Sequence, residues 1–363
     1  MSRTYPSRPE AGLLLEVDDL STKFKTGRGL VRAVDGVSLT LDRGKALGIV
    51  GESGSGKTIL SRSIMGLLPR RGVLRGGEVR FEGARIDQLS IKQMREYWGK
   101  EMAMIFQDPM TSLNPLMKIG AQITEPLKAH LGMQRETASN TAEKLLNDVG
   151  IPEAHRRLNQ YPHELSGGMR QRVMIAIAMA CGPTMLFADE PTTALDVTVQ
   201  AQILDLLEDQ RRDRNMSLIL VTHDLGVVAG HTDEIIVMYA GKIVEKAPTD
   251  VLFSEMRHPY TEALLASIPK IEDPSHTRLH AIGGRPPDLV NPPDGCRFAP
   301  RCQYAQDRCR QEEPPLTVGD HPDHLYACWF PVVTGGFDRP GATTADVDTT
   351  TGSTVAVSVA GAH

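Results

Sequence analysis

Between positions 13 and 41 apolar and polar residues alternate around turn residues, which predicts antiparallel strands at a sheet edge. Ala46-Leu47-Gly48-Ile49-Val50 is a short apolar run that enters a glycine-rich turn, the pattern of a buried strand, and helical periodicity follows over 57–67. From 119 to 149 the period is again helical, with Glu, Lys and Gln on the polar positions, and reads as a helical insertion. Strands return at 184–188, 217–221 and 234–239, separated by helical segments such as 197–211. This alternation predicts a mainly parallel sheet with helices on its faces. A hairpin over 235–244 turns at Ala240-Gly241. After about Pro269 the chain becomes Pro-rich with few long apolar runs, and from Gly335 it is Thr, Ala, Val, Gly and Asp without periodicity, which predicts a disordered tail.

Composition narrows the classes. The 363 residues are 40% hydrophobic and 23% charged, ordinary for a soluble globular chain with room for a sizeable core. A formal charge of -5 gives no reason to expect a nucleic-acid partner, which usually shows as a basic domain. Residues 1–10 are polar and contain no apolar core, so they are not a secretory signal. The most apolar stretch, 173–188, is short for a membrane span and is interrupted by Gly182-Pro183. A soluble protein is expected, with any membrane role supplied by partner subunits.

Gly51-Glu52-Ser53-Gly54-Ser55-Gly56-Lys57-Thr58 fits G-x-x-x-x-G-K-[ST], between a predicted strand and a predicted helix as that motif requires. Glycines let backbone N–H groups wrap an anion, and the helix N-terminus adds a favourable dipole. Lys57 supplies a positive charge to β- and γ-phosphates, and Thr58 offers a hydroxyl to Mg²⁺. Met185-Leu186-Phe187-Ala188-Asp189-Glu190 is an apolar strand ending in two acids. Such a pair is often only a helix cap. After a phosphate loop in the same sheet it predicts Asp189 on Mg²⁺ and Glu190 as the base that deprotonates the attacking water. Thr222-His223-Asp224 ends the next strand; a lone His is usually structural, but there His223 could reach a γ-phosphate.

Leu165-Ser166-Gly167-Gly168-Met169-Arg170-Gln171, placed between that loop and those acids, resembles the signature of the ABC transporter ATPase family. The resemblance covers about 13–269 and implies a P-loop α/β fold: a mainly parallel sheet, an antiparallel β edge and a helical subdomain. It implies ATP hydrolysis with Mg²⁺. Gln107, in Ile105-Phe106-Gln107-Asp108, matches the loop that touches Mg²⁺ and couples to membrane subunits, and Ala194-Leu195-Asp196 matches the D-loop. Phe24 is the aromatic expected on adenine, although an aromatic in an early strand is more often core. Met169 stands where the family has Gln, the one departure in the core motifs. In this family the phosphate loop of one chain faces the signature of another, so Ser166, Gly167 and Gly168 are expected to complete a partner's site in a head-to-tail dimer.

Three further stretches resemble the oligopeptide, dipeptide and nickel importer ATPases: 106–115, His258-Pro259-Tyr260-Thr261, and Gly295-Cys296-Arg297-Phe298-Ala299-Pro300-Arg301-Cys302. They imply an importer with peptide as cargo or, alternatively, nickel or another small solute. The implied partners are two transmembrane permease subunits, a second ABC ATPase (a copy or a paralogue) and, indirectly, an extracytoplasmic substrate-binding protein. The implied location is the cytoplasmic face of a bacterial cell membrane, as a peripheral subunit. The expected organisation is an ATPase domain over 1–270 with its helical subdomain at about 112–182, a cysteine region over 271–334, and the tail.

Of the five cysteines, Cys181 stands in an apolar stretch as a core residue, while Cys296, Cys302, Cys309 and Cys328 are spaced C-x5-C-x6-C-x18-C. A thin, Pro-rich segment needs a staple. A disulfide is disfavoured in cytoplasm, and zinc usually takes closer pairs. Four thiolates can hold a [4Fe–4S] cluster, and members of the resembled family carry cysteines here for that purpose, so the expectation is iron–sulfur with Zn²⁺ as the alternative. The cluster is read as structural because it lies far along the chain from the ATP motifs. A soluble ABC ATPase outside transport is the rival; it usually has two cassettes or a long coiled coil, and this chain has neither. No kinase HRD or DFG sequence and no guanine-reading Asn-Lys-x-Asp is present.

Overall fold

The computed structural model describes residues 12–69, 71–108, 112–192, 196–268 and 282–333. Its larger sheet is built on five short strands: β3 (Ala46–Val50), β6 (Met102–Ile105), β7 (Met185–Asp189), β8 (Ser217–Thr222) and β9 (Glu234–Tyr239). They lie in the order β9-β3-β8-β7-β6, and every neighbouring pair is parallel. All residues of β3, β7 and β8 are buried. A parallel sheet covered on both faces needs apolar side chains at every position, which is why these strands read as unbroken apolar runs.

The alternation of side chains divides the interior into two cores. Leu186, Ala188, Leu218, Leu220, Ile235 and Val237 face one, together with the helices Ile119–Leu131, Arg135–Asp148 and Gly167–Met179. Met185, Phe187, Ile219, Val221, Ile236 and Met238 face the other. The helical insertion predicted over 119–149 is thus a pair of helices. Ala138, Ala142, Leu145 and Leu146 form the buried stripe of the second, at helical spacing.

The second core is closed by β1 (Leu13–Thr26), β2 (Gly29–Asp42), β4 (Val73–Phe81) and β5 (Ala84–Arg85). These strands are antiparallel, as expected, but they build a sheet of their own in the order β2-β1-β4-β5 instead of an edge of the main sheet. The long β1 and β2 pair with each other along their length, and their apolar face (Leu15, Val17, Leu39, Leu41) is covered by the main sheet.

Beyond β9 the main sheet turns antiparallel. β10 (Lys242–Pro248) folds back through Ala240 and Gly241, with φ 48° and 86°. Two positive φ values in a two-residue loop give the twist that matches the flanking strands. Residues 282–333 pack on the cassette and extend its sheet: β12 (Leu325–Tyr326) pairs with β10, and β11 (Thr317–Val318) with β12. Glu245, fully buried on β10, anchors this segment. Its carboxylate accepts from the backbone N–H of Arg257 (2.5 Å) and His258 (3.1 Å), and lies 2.8 Å from Nε2 of the buried His324. A buried carboxylate persists only when satisfied in this way. The predicted tail lies outside the described residues. No helix among the described residues is long and apolar enough to cross a membrane.

Candidate active site

Because β3, β8, β7 and β6 are parallel neighbours, their carboxyl ends lie on one side of the sheet. The register Val50 to Thr222, Asp189 to Val221 and Ile105 to Ala188 brings those ends level. Ligands bind at such an edge in open α/β sheets. The phosphate loop leaves β3, His223 leaves β8, Asp189 and Glu190 end β7, and Gln107 follows β6.

The loop runs into the helix Lys57–Ile64, whose N-cap is Gly56 at φ 105°. Gly51 and Gly56 are required sterically, since a Cβ on either would stand 2.2 Å from a backbone oxygen, Met238 O or Ala33 O. Gly54 has open space where its Cβ would be, and Ser53 is exposed. The N–H of Gly241 donates to Ser55 O at 2.8 Å, so the β9–β10 hairpin supports the loop from behind. Ser55 Oγ is buried and has no hydrogen-bond partner among the described residues. Buried Lys57 directs Nζ at the carbonyls of Gly51 (2.5 Å) and Glu52 (3.0 Å). Burial pulls its pKa below the usual lysine range, against the raising influence of Glu190, Asp189 and Glu52.

Thr58 Oγ1 donates to Asp189 Oδ1 at 3.0 Å. Asp189 is fully buried, and among the described residues its Oδ2 has no hydrogen-bond partner. Burial pushes its pKa above the usual carboxylate range; the Thr58 bond and Arg62 oppose this. Glu190 follows with φ 47°, a left-handed backbone unusual for a side-chain-bearing residue, and its N–H is held by Val221 O at 2.8 Å. Its carboxylate meets Gln107 Nε2 at 2.8 Å through Oε2 and His223 Nδ1 at 3.5 Å through Oε1. The structure therefore brings Lys57, Thr58, Asp189, Glu190, Gln107 and His223 into one constellation.

Other expected residues lie apart. Ser166 caps the helix Gly167–Met179, its Oγ accepting from Met169 N at 3.3 Å, and both Ser166 and Gly167 are exposed. Gly168 packs towards Val199, so a Cβ there would come 3.1 Å from Val199 Cγ1. Met169 uses only its N–H in the cap while its side chain packs partly buried on the core, so its replacement of Gln leaves the cap intact. Among the described residues no hydrogen bond joins Ser166, Gly167 or Gly168 to the Lys57 loop. Asp196 is exposed and caps the helix Val197–Arg214 through Val199 N at 2.9 Å; Ala194 and Leu195 lie outside the described residues. Phe24 is half-buried and belongs to neither core. Its pairing partner Val31 is two residues from Ala33, whose carbonyl abuts Gly56.

All four late cysteines line one small cavity with Phe298 and Trp329. Burial pushes the Cys328 thiol up to about 12, with the other three cysteines adding to the rise, and burial also raises Cys296. Among the described residues no three His, Cys, Asp or Glu side chains stand close enough to form a metal site as placed. Sequence reasoning missed how this segment reaches the phosphate loop. Arg301 forks onto the Glu52 carboxylate at 2.6 and 2.9 Å, Tyr260 accepts from Glu52 N at 2.7 Å, and Arg297 pairs with Asp35. The cysteine segment lies far from the ATP motifs along the chain, as read from the sequence, and is adjacent to the phosphate loop in space.

Comparison with known proteins agrees with this geometry. Residues 34–193 match the ABC transporter family, and residues 244–309 match the oligopeptide/dipeptide transporter C-terminal region. The oligopeptide transport ATP-binding protein OppD of Bacillus subtilis is 54% identical over 87% of this chain and 88% of its own length. The dipeptide transport ATP-binding protein DppD of Escherichia coli is 50% identical over 84% of this chain and 93% of its own. Among solved structures, the dimeric ATP-binding cassette MJ0796, bound to ADP and phosphate after hydrolysis, superposes with a TM-score of 0.59 at 27% identity, covering 65% of this chain and 99% of that one. With a strand-end constellation of Lys57, Asp189, Glu190, Gln107 and His223 and half-identity to these relatives across most of its length, the chain belongs to the ABC transporter ATP-binding proteins, in the branch that carries the oligopeptide/dipeptide C-terminal region.

Proposed function

We infer that this chain is the ATP-binding and ATP-hydrolysing subunit of an ABC importer and energises peptide uptake. The observation that carries the reading is the convergence of four loops from neighbouring strand ends on Asp189 and Glu190, in a chain similar to oligopeptide and dipeptide transport ATP-binding proteins.

The chemistry follows from the placement. The loop Gly51–Thr58 cradles the phosphates with backbone N–H groups, and Lys57 exchanges its carbonyl partners for phosphate oxygens. Glu190 accepts a proton from water as the water oxygen bonds to the γ-phosphorus and the bond from that phosphorus to the β–γ bridging oxygen breaks, releasing ADP. Gln107 fixes one carboxylate oxygen, and His223 lies beside the other, where it can meet the γ-phosphate. Thr58, Asp189 and Gln107 are the residues that would hold Mg²⁺. The orphaned, buried Oδ2 of Asp189 fits a cation ligand, and the ion would neutralise phosphate charge.

Exposed Ser166 and Gly167, with the adjoining Gly168, serve a second cassette, and Asp196 and Phe24 complete the nucleotide contacts. ATP is then held between two chains, and its hydrolysis shifts the pair towards the open state. Two membrane permeases receive that motion, and an extracytoplasmic binding protein delivers the peptide. The organisation is a cassette over 1–270 with a helical subdomain and a cysteine segment that braces it. The four cysteines that share one cavity are the residues that would hold a [4Fe–4S] cluster, with Zn²⁺ as the alternative; their thiols would have to draw together around the group, whose positive charge would make the buried thiolates tolerable. The function is tested by reconstituting the chain with its permeases in liposomes: ATP-dependent uptake of a labelled peptide supports it, and ATP turnover without accumulation of any di- or oligopeptide contradicts it.

A further inference from the structure

Glu52 is the second residue of the phosphate loop, and it is gripped at both ends from outside that loop. Its N–H donates to Tyr260 Oη, and its two carboxylate oxygens take Nη1 and Nη2 of Arg301. The Arg301 side chain is 3% exposed, against 28% for Glu52. Its remaining donors are also satisfied: Nη1 reaches Tyr239 Oη at 3.2 Å, Nη2 the carbonyl of Ile282 at 3.1 Å, and Nε the carbonyl of Gly283 at 2.8 Å. A guanidinium has five N–H donors, and five contacts use them. No other cation has this planar fork, so the site is built for Arg.

From this clamp we infer that Arg301 is a positioning residue for the phosphate loop, through which the cysteine segment sets nucleotide affinity. The inference rests on reading the loop as the ATP site. Two effects act together. The carbonyl of Glu52 is one of the two oxygens that hold Lys57 Nζ, so fixing Glu52 fixes the rest position of the lysine. The Glu52 carboxylate also stands at the rim of a cradle for a polyanion, and Arg301 neutralises it. Without Arg301 the loop would carry an uncompensated negative charge towards the incoming phosphates, in a partly buried place where charge is poorly screened. Arg301 immediately precedes Cys302, so any rearrangement of the cysteine cavity moves the clamp.

The test measures binding of the non-hydrolysable analogue AMP-PNP to the full chain, together with the KM and kcat of ATP hydrolysis. Arg301→Ala should raise the AMP-PNP Kd at least tenfold and raise KM while changing kcat less than threefold. Arg301→Lys should recover only part of the loss. Glu52→Ala/Arg301→Ala should recover at least threefold of that loss but not all of it, because the unpaired carboxylate is gone while the clamp on the loop is still missing. A fold defect would not be repaired by that second change, so a double variant as weak as Arg301→Ala overturns the inference, and so does an Arg301→Ala Kd equal to the parent's. If Arg301→Ala does not fold, Glu52→Gln decides instead: affinity equal to or above the parent's is expected, and a tenfold loss overturns the charge argument. Failure of the parent itself to bind AMP-PNP would overturn the nucleotide reading underneath, an outcome separate from all of these.

Discussion

The Gln107 side-chain amide donates a 2.8 Å hydrogen bond to the Glu190 carboxylate across 83 residues of sequence. It joins the strand-end loop that follows β6 to the residue assigned as base. The bond holds Glu190 in place, while His223 flanks its other oxygen. Replacing Glu190 with Gln keeps the shape and removes the proton acceptor. Glu190→Gln should bind ATP within severalfold of the parent and hydrolyse it about 10²–10⁴ times more slowly, as measured by phosphate release under single-turnover conditions. Near-normal turnover would remove Glu190 from the role of base.

The four cysteines around one cavity predict a bound metal group. Protein purified anaerobically should be brown and contain iron in a ratio near four per chain. Cys328→Ser should lose the colour and most of the iron. Colourless protein with about one zinc per chain would give the site to zinc instead.

Buried His258 predicts a pH dependence of stability. Its Nδ1 accepts from Tyr260 N at 3.0 Å and caps the helix Pro259–Ala266, and burial lowers its pKa to about 4, against the pull of Glu245. The unfolded chain, with a histidine pKa near 6.5, binds the proton first. Stability from this group is therefore complete above about pH 6.5 and is lost as the pH falls towards 4, by about 3 kcal/mol. Thermal melts between pH 7 and 4.5 should show a decline that is shallower in His258→Asn, where Asn can still cap. Identical slopes would assign the acid sensitivity elsewhere.

Much of this was legible in the sequence because the signals are contiguous. Gly51 to Thr58 announce a phosphate loop by spacing, and the parallel strands announce themselves as apolar runs, since both faces of the sheet are covered. Once those strands are neighbours, the meeting of Lys57, Asp189, Glu190 and His223 follows from their positions at strand ends. What could not be read were pairings between distant single residues. Arg301 is 249 positions from Glu52, and neither residue belongs to a periodic pattern that points to the other. The strands at Thr317–Val318 and Leu325–Tyr326 are two residues each, too short for alternation to register, and they exist because β10 offers an edge. The separate antiparallel sheet was misplaced for a related reason: alternation shows that β1 and β2 have one apolar face, but not which surface covers it.

The central claim is that ATP bound at Lys57 is completed by Ser166 of a second cassette. The most direct measurement is the structure of the assembled transporter carrying Glu190→Gln and trapped with ATP and Mg²⁺. The account predicts each γ-phosphate between the Lys57 loop of one chain and the Ser166–Gly168 helix start of its neighbour. Nucleotide enclosed by a single chain, with Ser166 facing solvent, would contradict it.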